Sequence, residues 1–364
     1  MTLRGKGFFI WKIRDCENGD SQAIAEAALR AGNTHVMIKI ADGAYSYNLD
    51  PSGKDLVTSL VQALHKRSIQ AWGWQYIYGK DPLGEANKAI QRINQCQVDG
   101  FVIDVEKEYK EPGKRVAAEK YLDRLRAAFP DLSVGLSSYR FPSYHPQVPW
   151  KEFLERSDFN MPQVYWVQAH NPADQLTRCV QEFQAITPYR PIIPTGSAYK
   201  SGSWQASPED VAKFLKTAQD LNLTAANFWE WANCRRYIPE VWETISRYPW
   251  SGDPVLPDIA QQYIDALNSR DINRILGLYA PNAVHINAAR TVQGIPAIRS
   301  WYESLFSQVL RNPTFVLTGH TGSGNTRNLT WTASGENGRV RNGNDTLGVL
   351  EDKISYHYTF FNVN

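Results

Sequence analysis

Cysteine is scarce in this sequence, and its few cysteines are far apart. The chain of 364 residues has four, at positions 16, 96, 179 and 234, with no CxxC pair and no histidine at metal-ligand spacing. A disulfide framework or a zinc site needs a closer, recurring pattern. The sequence therefore predicts four reduced thiols in a cytoplasmic protein, with no metal and no cofactor.

Two further absences narrow the partners that we expect. Acidic and basic residues nearly balance, 37 against 39, so the formal net charge is only +2. This gives no electrostatic reason to expect a nucleic-acid or membrane partner. No apolar run approaches the roughly 20 residues of a membrane span. The N-terminal MTLRGKGFFIWKI is interrupted by Lys12 and lacks a small-residue cleavage site, so it predicts a first strand and not a signal peptide.

Strand-like and helix-like segments alternate regularly up to residue 248. The first unit pairs GFFIWKI (7–13) with SQAIAEAALRAG, and seven more units follow; Ser207 and Asp210 predict a capping box on one of the later helices. Eight such units in about 250 residues are typical of a (β/α)₈ TIM barrel. The alternative is an open doubly wound sheet, but no GxGxxG turn follows the first strand.

A change of pattern marks a second domain. Residues 249–257, PWSGDPVLP, carry three prolines and predict a linker. Residues 258–364 begin with helical segments and continue with segments that alternate at period two between Gly and Asn turns, which indicates an α+β domain. We therefore expect a barrel at 1–248 and a second domain at 258–364 that limited proteolysis would separate.

The second domain resembles a known superfamily. The segments YIDALNSRDINRILGLYAPNAV, GIPAIRSWYESLF and NGNDTLGVLEDKISYHYTFF are similar to the SnoaL-like branch of the nuclear transport factor 2-like superfamily, over nearly all of 256–364. The resemblance implies a cone-shaped pocket lined by Tyr279, His285, Trp301, Asp345 and His357. A His–Asp pair could do acid–base work there. The alternative is a set of hydrogen-bonded core residues in a self-associating module, because this fold has many functions.

In the first domain, the stretch VDGFVIDVEKEY (98–109) places two acids at the end of a buried-strand pattern. Alternate side chains of a strand share a face, so Val102, Asp104 and Glu106 point the same way. In the fourth strand of a barrel, this face points into the mouth at the C-terminal end, where barrel enzymes have their active sites. Asp104 and Glu106 are therefore the candidate catalytic residues.

Lys39 offers a structural explanation for the same acids. Its neighbours Val36, Ile38 and Ile40 are expected to face the helices. Lys39 must then face inward, where an unpaired ammonium group is costly. Asp104 is the obvious partner, and the two groups could simply neutralise each other. We favour a function because inward acids at barrel strand ends are usually site residues.

The two acids also resemble strand four of glycoside hydrolase families 18 and 25. Family 18 has D-G-x-D-x-D-x-E where this chain reads DGFVIDVE, with Val102 replacing one acid. The resemblance implies that Glu106 protonates the glycosidic oxygen and that Asp104 steadies an acetamido group. The segments GFFIWKI and IKIADGAYSYN resemble family 25, whose strand-one Asp is replaced here by Phe9 or Trp11.

Aromatic residues are abundant, with 12 Trp and 18 Tyr, and several stand at strand ends. Aromatic rings stack on the apolar faces of sugars, although they also fill cores. In strand eight, NFWEWAN, either the Glu or the flanking Trp pair faces the mouth. The candidate substrate-binding residues are Trp11, Lys39, Trp74, Gln75, Tyr139, Gln163, Tyr165, Trp229, Glu230 and Trp231.

These features predict a retaining-type glycoside hydrolase with a polysaccharide substrate, amino-sugar polymers among the candidates, and with Glu106 as general acid/base assisted by Asp104. A second hypothesis is a catalytically degenerate barrel that binds a glycan. A third places a small-ligand enzyme or carrier in the SnoaL-like domain. The apolar-aromatic alternation of ISYHYTFFNV also predicts a homodimer through that domain.

Overall fold

The structure, a computed structural model, describes residues 3–250, 258–322, 325–350 and 353–364 of the chain. The chain divides into two compact units, Met1–Leu256 and Pro257–Asn364. Apart from Pro249 and Trp250, the expected linker at 249–257 lies outside the described residues and stays a prediction.

In the described part of the first unit, eight parallel strands close into a barrel. Their order is β1-β8-β7-β6-β5-β4-β3-β2, and β2 pairs back to β1. Their bounds are β1 Gly5–Ile10, β2 Asn33–Asp42, β3 Gln70–Ile77, β4 Gly100–Val105, β5 Ser133–Tyr139, β6 Phe159–Val164, β7 Thr195–Ser197 and β8 Ala225–Trp229. The predicted TIM-like barrel is confirmed.

Helices follow the strands along the chain. Their bounds are α1 Ser21–Arg30, α2 Val57–His65, α3 Pro82–Cys96, α4 Lys114–Ala128, α5 Trp150–Glu155, α6 Pro172–Gln184, α7 Pro208–Asp220, α8 Trp231–Tyr237 and α9 Pro239–Arg247. Asp20 and Asp81 cap α1 and α3 through their side chains. The predicted capping box of Ser207 and Asp210 is present at the start of α7. Such caps satisfy backbone N–H groups that a helix start leaves unpaired.

The alternation of side chains along each strand gives the barrel two apolar layers. On β1, Phe8 packs outward on Trp242 of α9 with ring centroids 4.6 Å apart, whereas Phe9 packs inward near Trp74 and Trp229. The inner layer is filled by large buried side chains such as Trp72. The barrel interior is therefore a packed core, which leaves chemistry to the strand ends and the loops that follow them.

In the described part of the second unit, helices pack on a six-stranded sheet. The helices are α10 Ile259–Ser269, α11 Ile272–Leu276 and α12 Ile295–Ser304. The strands are β9 Tyr279–Ile286, β10 Thr291–Gln293, β11 Thr314–Thr321, β12 Thr326–Gly335, β13 Gly338–Leu350 and β14 Lys353–Phe360. Their order is β10-β9-β14-β13-β12-β11, antiparallel except for the β9–β14 pair. The predicted α+β architecture is present.

The structure also bears on two expectations from composition. Each of the four cysteines is buried and has a free thiol. Among the described residues, no helix combines the length and the apolar character that crossing a membrane requires.

Candidate active site

Asp104 and Glu106 lie where β4 ends at the C-terminal face of the barrel. Val102 belongs to the inner apolar layer, and Asp104, two residues on, is 8% exposed. Glu106 follows just beyond the strand and is half-buried. The alternation that fills the lower barrel with apolar side chains thus places two carboxyl groups, one above the other, at the mouth.

Gln163 of β6 joins the two acids. Its amide nitrogen donates to Asp104 Oδ1 at 3.0 Å and to Glu106 Oε1 at 3.1 Å. The same nitrogen lies 3.4 Å from Ser137 Oγ on β5. Because one nitrogen serves both carboxyl groups, Gln163 fixes their relative position across two strands.

The surroundings of Asp104 favour its protonated form. Burial raises the pKa of Asp104 well above its ordinary value, and the nearby charge of Glu106 raises it further. Lys39 and the hydrogen bonds from Ser137 and Gln163 act in the opposite direction but do not reverse the shift. Asp104 therefore keeps its proton at pH values where an isolated aspartate would be ionised.

Lys39 faces inward as predicted, but the expectation that it pairs with Asp104 is corrected. Its ammonium nitrogen lies 3.0 Å from Asp42 Oδ2, and in the described chain no ion pair joins it to Asp104. A β-bulge between Lys39 and Ala41 shifts the alternation by one residue, so that Asp42 comes to the side of Lys39. The ammonium also faces the rings of Tyr47 and Trp74, at 4.5 and 4.8 Å from their centroids.

Three tryptophans line one side of the mouth. Trp229 contacts Trp74 and Trp11, with ring centroids 5.6 and 6.4 Å apart. Trp74 is buried and donates its indole N–H to the carbonyl of Ile10, so it is part of the wall. Trp11 is 43% exposed and offers a ring face to solvent. Such a ring can stack on the apolar face of a sugar.

Two tyrosines lie on the other side of the mouth. Tyr139 is half-buried, stacks on His145 at 3.8 Å, and has Lys110 over its ring at 4.1 Å. Burial raises the pKa of Tyr139 to about 12. Burial also raises the pKa of Tyr165, whose ring meets that of Tyr199 edge-on at 5.7 Å. Both phenols therefore stay neutral hydrogen-bonding groups near the acids.

Gln75 is not in the mouth, which corrects the sequence-based position. Since Trp74 faces inward, the next residue on β3 faces the helices, and Gln75 is fully buried there. Its amide nitrogen donates to the carbonyls of Gly43 and Glu85, and its oxygen accepts from the Tyr121 hydroxyl.

Glu230 and Trp231 also lie elsewhere than expected, since Trp229 is the member of NFWEWAN that faces the mouth. The Glu230 carboxylate caps α8 and accepts from the backbone N–H of Ala232 and Asn233. Trp231 is fully buried in the outer layer, where its indole N–H donates to Glu17. The strand has already ended at these positions, so the alternation no longer applies.

The structure adds residues that the sequence reasoning missed. Tyr76 faces the mouth two residues after Trp74, and its hydroxyl donates to Glu108 at 2.6 Å. Asp42 holds Lys39 and also accepts from the Tyr78 hydroxyl at 2.8 Å. The alternation on β3 would have identified Tyr76, whereas Asp42 depends on a bulge that no sequence pattern signals. Within the described residues, no group of three or more His, Cys, Asp or Glu side chains is placed to hold a metal ion.

The five residues predicted for the second domain come together in its interior. His357 contacts Asp345 with 3.4 Å between Nε2 and Oδ2, and its Nδ1 lies 2.6 Å from the Tyr279 hydroxyl. His285 packs on His357 and on Trp301, at 4.5 and 5.4 Å between ring centroids. In the described structure, neither ring nitrogen of His285 has a hydrogen-bond partner. Burial and the adjacent His357 lower the pKa of His285 to about 2.

Comparison with known proteins bears on the second unit alone. No curated protein matches this chain. Among solved structures, a proposed isomerase of the SnoaL-like family from Agrobacterium tumefaciens is 25% identical and covers 29% of this chain and 94% of its own, with a TM-score of 0.26. A proposed polyketide cyclase from Sinorhizobium meliloti is 21% identical over the same shares, also with a TM-score of 0.26.

A family model gives the clearer result. Residues 260–357 match the SnoaL-like domain. This span begins in α10 and ends within β14, and it includes all five residues of the interior cluster. The second unit of this chain is therefore a SnoaL-like domain.

Proposed function

We propose that the barrel is a glycoside hydrolase that cleaves a polysaccharide of N-acetylated amino sugars, with Glu106 as general acid/base and Asp104 assisting. The observation that carries the proposal is the pair of carboxyl groups held by Gln163 at the C-terminal end of β4. Glycoside hydrolysis needs a proton donor at the leaving oxygen and a group that stabilises the oxocarbenium-like centre. In this proposal Glu106 meets the first requirement, and Asp104 assists with the second.

The position of the second acid favours assistance by the substrate. Asp104 lies near the end of β4 and Glu106 follows just beyond the strand, so the two acids share one wall of the mouth and cannot flank a sugar from opposite faces. In this arrangement the acetamido oxygen of the sugar attacks the anomeric carbon while Glu106 gives its proton to the leaving oxygen. Asp104 hydrogen-bonds the acetamido N–H. Water then opens the cyclic intermediate, and Glu106 takes its proton, which retains the anomeric configuration.

Burial explains why the acids suit this role. Asp104 is held beside Ser137 and Gln163 in a largely dry site, so a hydrogen bond to it is stronger than in water. The exposed ring of Trp11 and the phenols of Tyr139 and Tyr165 provide stacking and hydrogen-bonding groups around the acids.

The test is turnover of N-acetylglucosamine oligomers, peptidoglycan and a neutral glucan by the wild-type protein and by Glu106→Gln. The amide keeps the shape and the hydrogen bond from Gln163 but cannot donate a carboxylic proton, so turnover should fall by about 10²- to 10⁴-fold with unchanged melting. Glu155→Gln, on the exposed face of α5, is the matched control and should be fully active. A wild-type protein inert on all three substrates would refute the proposal.

A glycan-binding barrel without catalysis is the second candidate, and Phe9 favours it. Phe9 is buried and faces inward on β1, near the mouth. Family 25 enzymes have an acid close to this position. In that case the oligomers would bind to the wild-type protein and to Glu106→Gln with equal affinity and would be recovered intact.

A small-ligand activity in the SnoaL-like domain is the third candidate. The unpartnered nitrogens of His285 and the contact between His357 and Asp345 favour it, since buried polar atoms usually have partners. This activity would persist in Glu106→Gln and be lost in His357→Gln. Under the barrel proposal, glycan turnover is lost in Glu106→Gln and persists in His357→Gln.

A further inference from the structure

A second cleft opens beside the barrel mouth. Two loops form it, the one after β2 and the one between β3 and α3, and it encloses about 630 Å³. Its lining includes Asp42, Tyr45, Tyr47, Tyr78 and Lys80. None of these residues belongs to the Asp104–Glu106–Gln163 cluster.

Both walls of this cleft are fixed by hydrogen bonds. On the first wall, the strand turns back on itself, and Tyr45 pairs with Asp42 in an antiparallel bridge. On the second, the Glu85 carboxylate accepts three backbone N–H groups, from Tyr78, Gly79 and Lys80. The cleft is therefore formed before any ligand binds, which avoids an ordering cost.

Gln75 joins the two walls. Its amide nitrogen donates to the carbonyl of Gly43 on the first wall at 2.7 Å and to that of Glu85 on the second at 3.0 Å. The Tyr121 hydroxyl holds its oxygen from behind at 2.6 Å. The two hydrogen bonds of this fully buried amide fix the distance between the loops, and therefore the width of the cleft.

The lining has the chemistry of a carbohydrate site. The ring of Tyr45 is 78% exposed although its backbone is held in the bridge, so it presents a flat apolar face to solvent. Asp42 and the phenols of Tyr47 and Tyr78 lie beside it as acceptors and donors. An exposed ring next to converging polar groups suits a pyranose, which has an apolar face and equatorial hydroxyl groups.

The cleft lining also contacts residues of the mouth. Asp42 lines the cleft and holds Lys39, whose ammonium faces Trp74 in the mouth. Tyr78 lines the cleft and stacks near Tyr76, with ring centroids 4.9 Å apart, and the Tyr76 hydroxyl donates to Glu108 just beyond the catalytic acids. The cleft therefore adjoins the mouth.

We infer that this cleft is a distal subsite that binds a sugar unit several residues along the chain from the bond that is cleaved. The inference rests on the proposed function for its choice of substrate. It adds that the enzyme holds an internal stretch of a long, largely uncharged glycan and does not act on chain ends alone.

The experiment measures binding of N-acetylglucosamine oligomers of two to six units by calorimetry, in Glu106→Gln so that the oligomers stay intact. Affinity should rise with length, and adding Tyr45→Ala should weaken the hexamer about tenfold, the loss of one stacking contact, while leaving the dimer unchanged. Tyr45→Phe keeps the ring and should restore binding. Tyr189→Ala, which removes another exposed tyrosine, is the control.

The outcomes separate the subsite from the proposed function. If Tyr45→Ala binds every oligomer as tightly as its parent, the subsite is refuted, even if the wild-type protein hydrolyses the hexamer. If the hexamer binds through Tyr45 and the wild-type protein leaves it intact, the subsite stands and the hydrolase proposal fails. Failure of all oligomers to bind would refute the subsite as a site for this glycan class.

Discussion

The barrel mouth and the interior of the SnoaL-like domain both bring acids, phenols and basic groups together. The two regions differ in whether these groups have hydrogen-bond and ion-pair partners. At the mouth, Asp104 and Glu106 share the amide of Gln163, and Lys39 has Asp42. In the SnoaL-like interior, both nitrogens of His285 lack partners in the described structure. The mouth lies at strand ends beside exposed rings, whereas His285 is fully buried.

The difference shows how position in a fold determines what a polar group can do. A partnered acid at a strand end keeps its side chain oriented and remains within reach of a ligand, which suits catalysis or recognition. A buried imidazole that lacks hydrogen-bond partners instead stays neutral in the fold. The folded state therefore loses stability relative to the unfolded chain at any pH where the unfolded chain protonates this residue. The barrel mouth is therefore the better candidate site, and the SnoaL-like interior is the more sensitive to acid.

The largest effect that we expect from a single change at the mouth concerns the partner of Lys39. Asp42→Asn removes the carboxylate that, among the described residues, forms an ion pair with this ammonium group, whose side chain is 6% exposed, and should lower the free energy of unfolding by about 3 kcal/mol. The measurement is urea unfolding at pH 7. Asp42 is itself 29% exposed, which keeps the loss near the lower end of the usual range.

Asp104→Asn is the matched control, and its expected effect has the opposite sign. The folded state raises the pKa of Asp104, so stability is lost as the pH rises through that value and this carboxyl is forced to ionise. Asn cannot ionise and still accepts from Gln163, so the variant should gain stability over the wild type as the pH increases. If Asp104→Asn is instead as unstable as Asp42→Asn, the ammonium is neutralised by Asp104 after all.

Much of this fold was predictable because its periodicities are strong. Eight strand–helix units specify a closed barrel, and the inward direction of Lys39 and Asp104 follows from alternation alone. The partner of Lys39 was not predictable, because a bulge on β2 moves Asp42 to the same side. Pairing across the barrel depends on such local irregularities, which leave no mark in the sequence.

The misplaced residues have a simpler cause. Trp74 and Gln75 are consecutive, so a strand cannot direct both into the mouth, and the same holds for Trp229 and Glu230. Applying alternation to each strand would have removed Gln75 and added Tyr76. For the SnoaL-like domain, the family resemblance correctly brought together residues as distant as Tyr279 and His357, which no spacing rule would have done.

Acid should have an effect at least as large, and it should distinguish the two units. The folded state lowers the pKa of His285 to about 2 and that of His35, inside the barrel, to about 4. Both remain neutral in the fold while the unfolded chain binds protons below about 6.5. Each histidine therefore lowers the free energy of unfolding by about 1.4 kcal/mol per pH unit as the pH falls below 6.5. Below pH 4 this loss continues for His285 and stops for His35, because His35 is then protonated in the folded state too.

Matched replacements test this difference. Within the described residues, the His285 ring has no hydrogen-bond partner to lose, so His285→Phe should be near neutral at pH 7 and should reduce the loss of stability in acid. His35→Phe loses the contact of Nε2 with Asn227 at 2.6 Å and should be destabilising at pH 7. The readout is thermal unfolding from pH 7 to pH 3, which extends below the pH at which His35 stops contributing. An unchanged pH profile in His285→Phe would show that this histidine is protonated or solvated in the folded protein.

The smallest effect on folding is expected at the outer face of the SnoaL-like sheet, where we predict a homodimer. Tyr356, Tyr358 and Phe360 lie on one face of β14 and are 40 to 43% exposed. Their neighbours in register, including Ile286 on β9 and Thr346 on β13, are uncharged, so two copies of this face could meet without like-charge repulsion.

Tyr358→Asp would place two like charges in that contact. Light scattering at micromolar concentration should then report one chain where the wild type has two, and the free energy of unfolding should change by less than about 0.5 kcal/mol. Tyr237→Asp, at an exposed position on α8, is the control and should remain a dimer. A wild-type mass of one chain would show that this face does not pair two copies, and the contrast between a mouth for ligands and a sheet for self-association would then be lost.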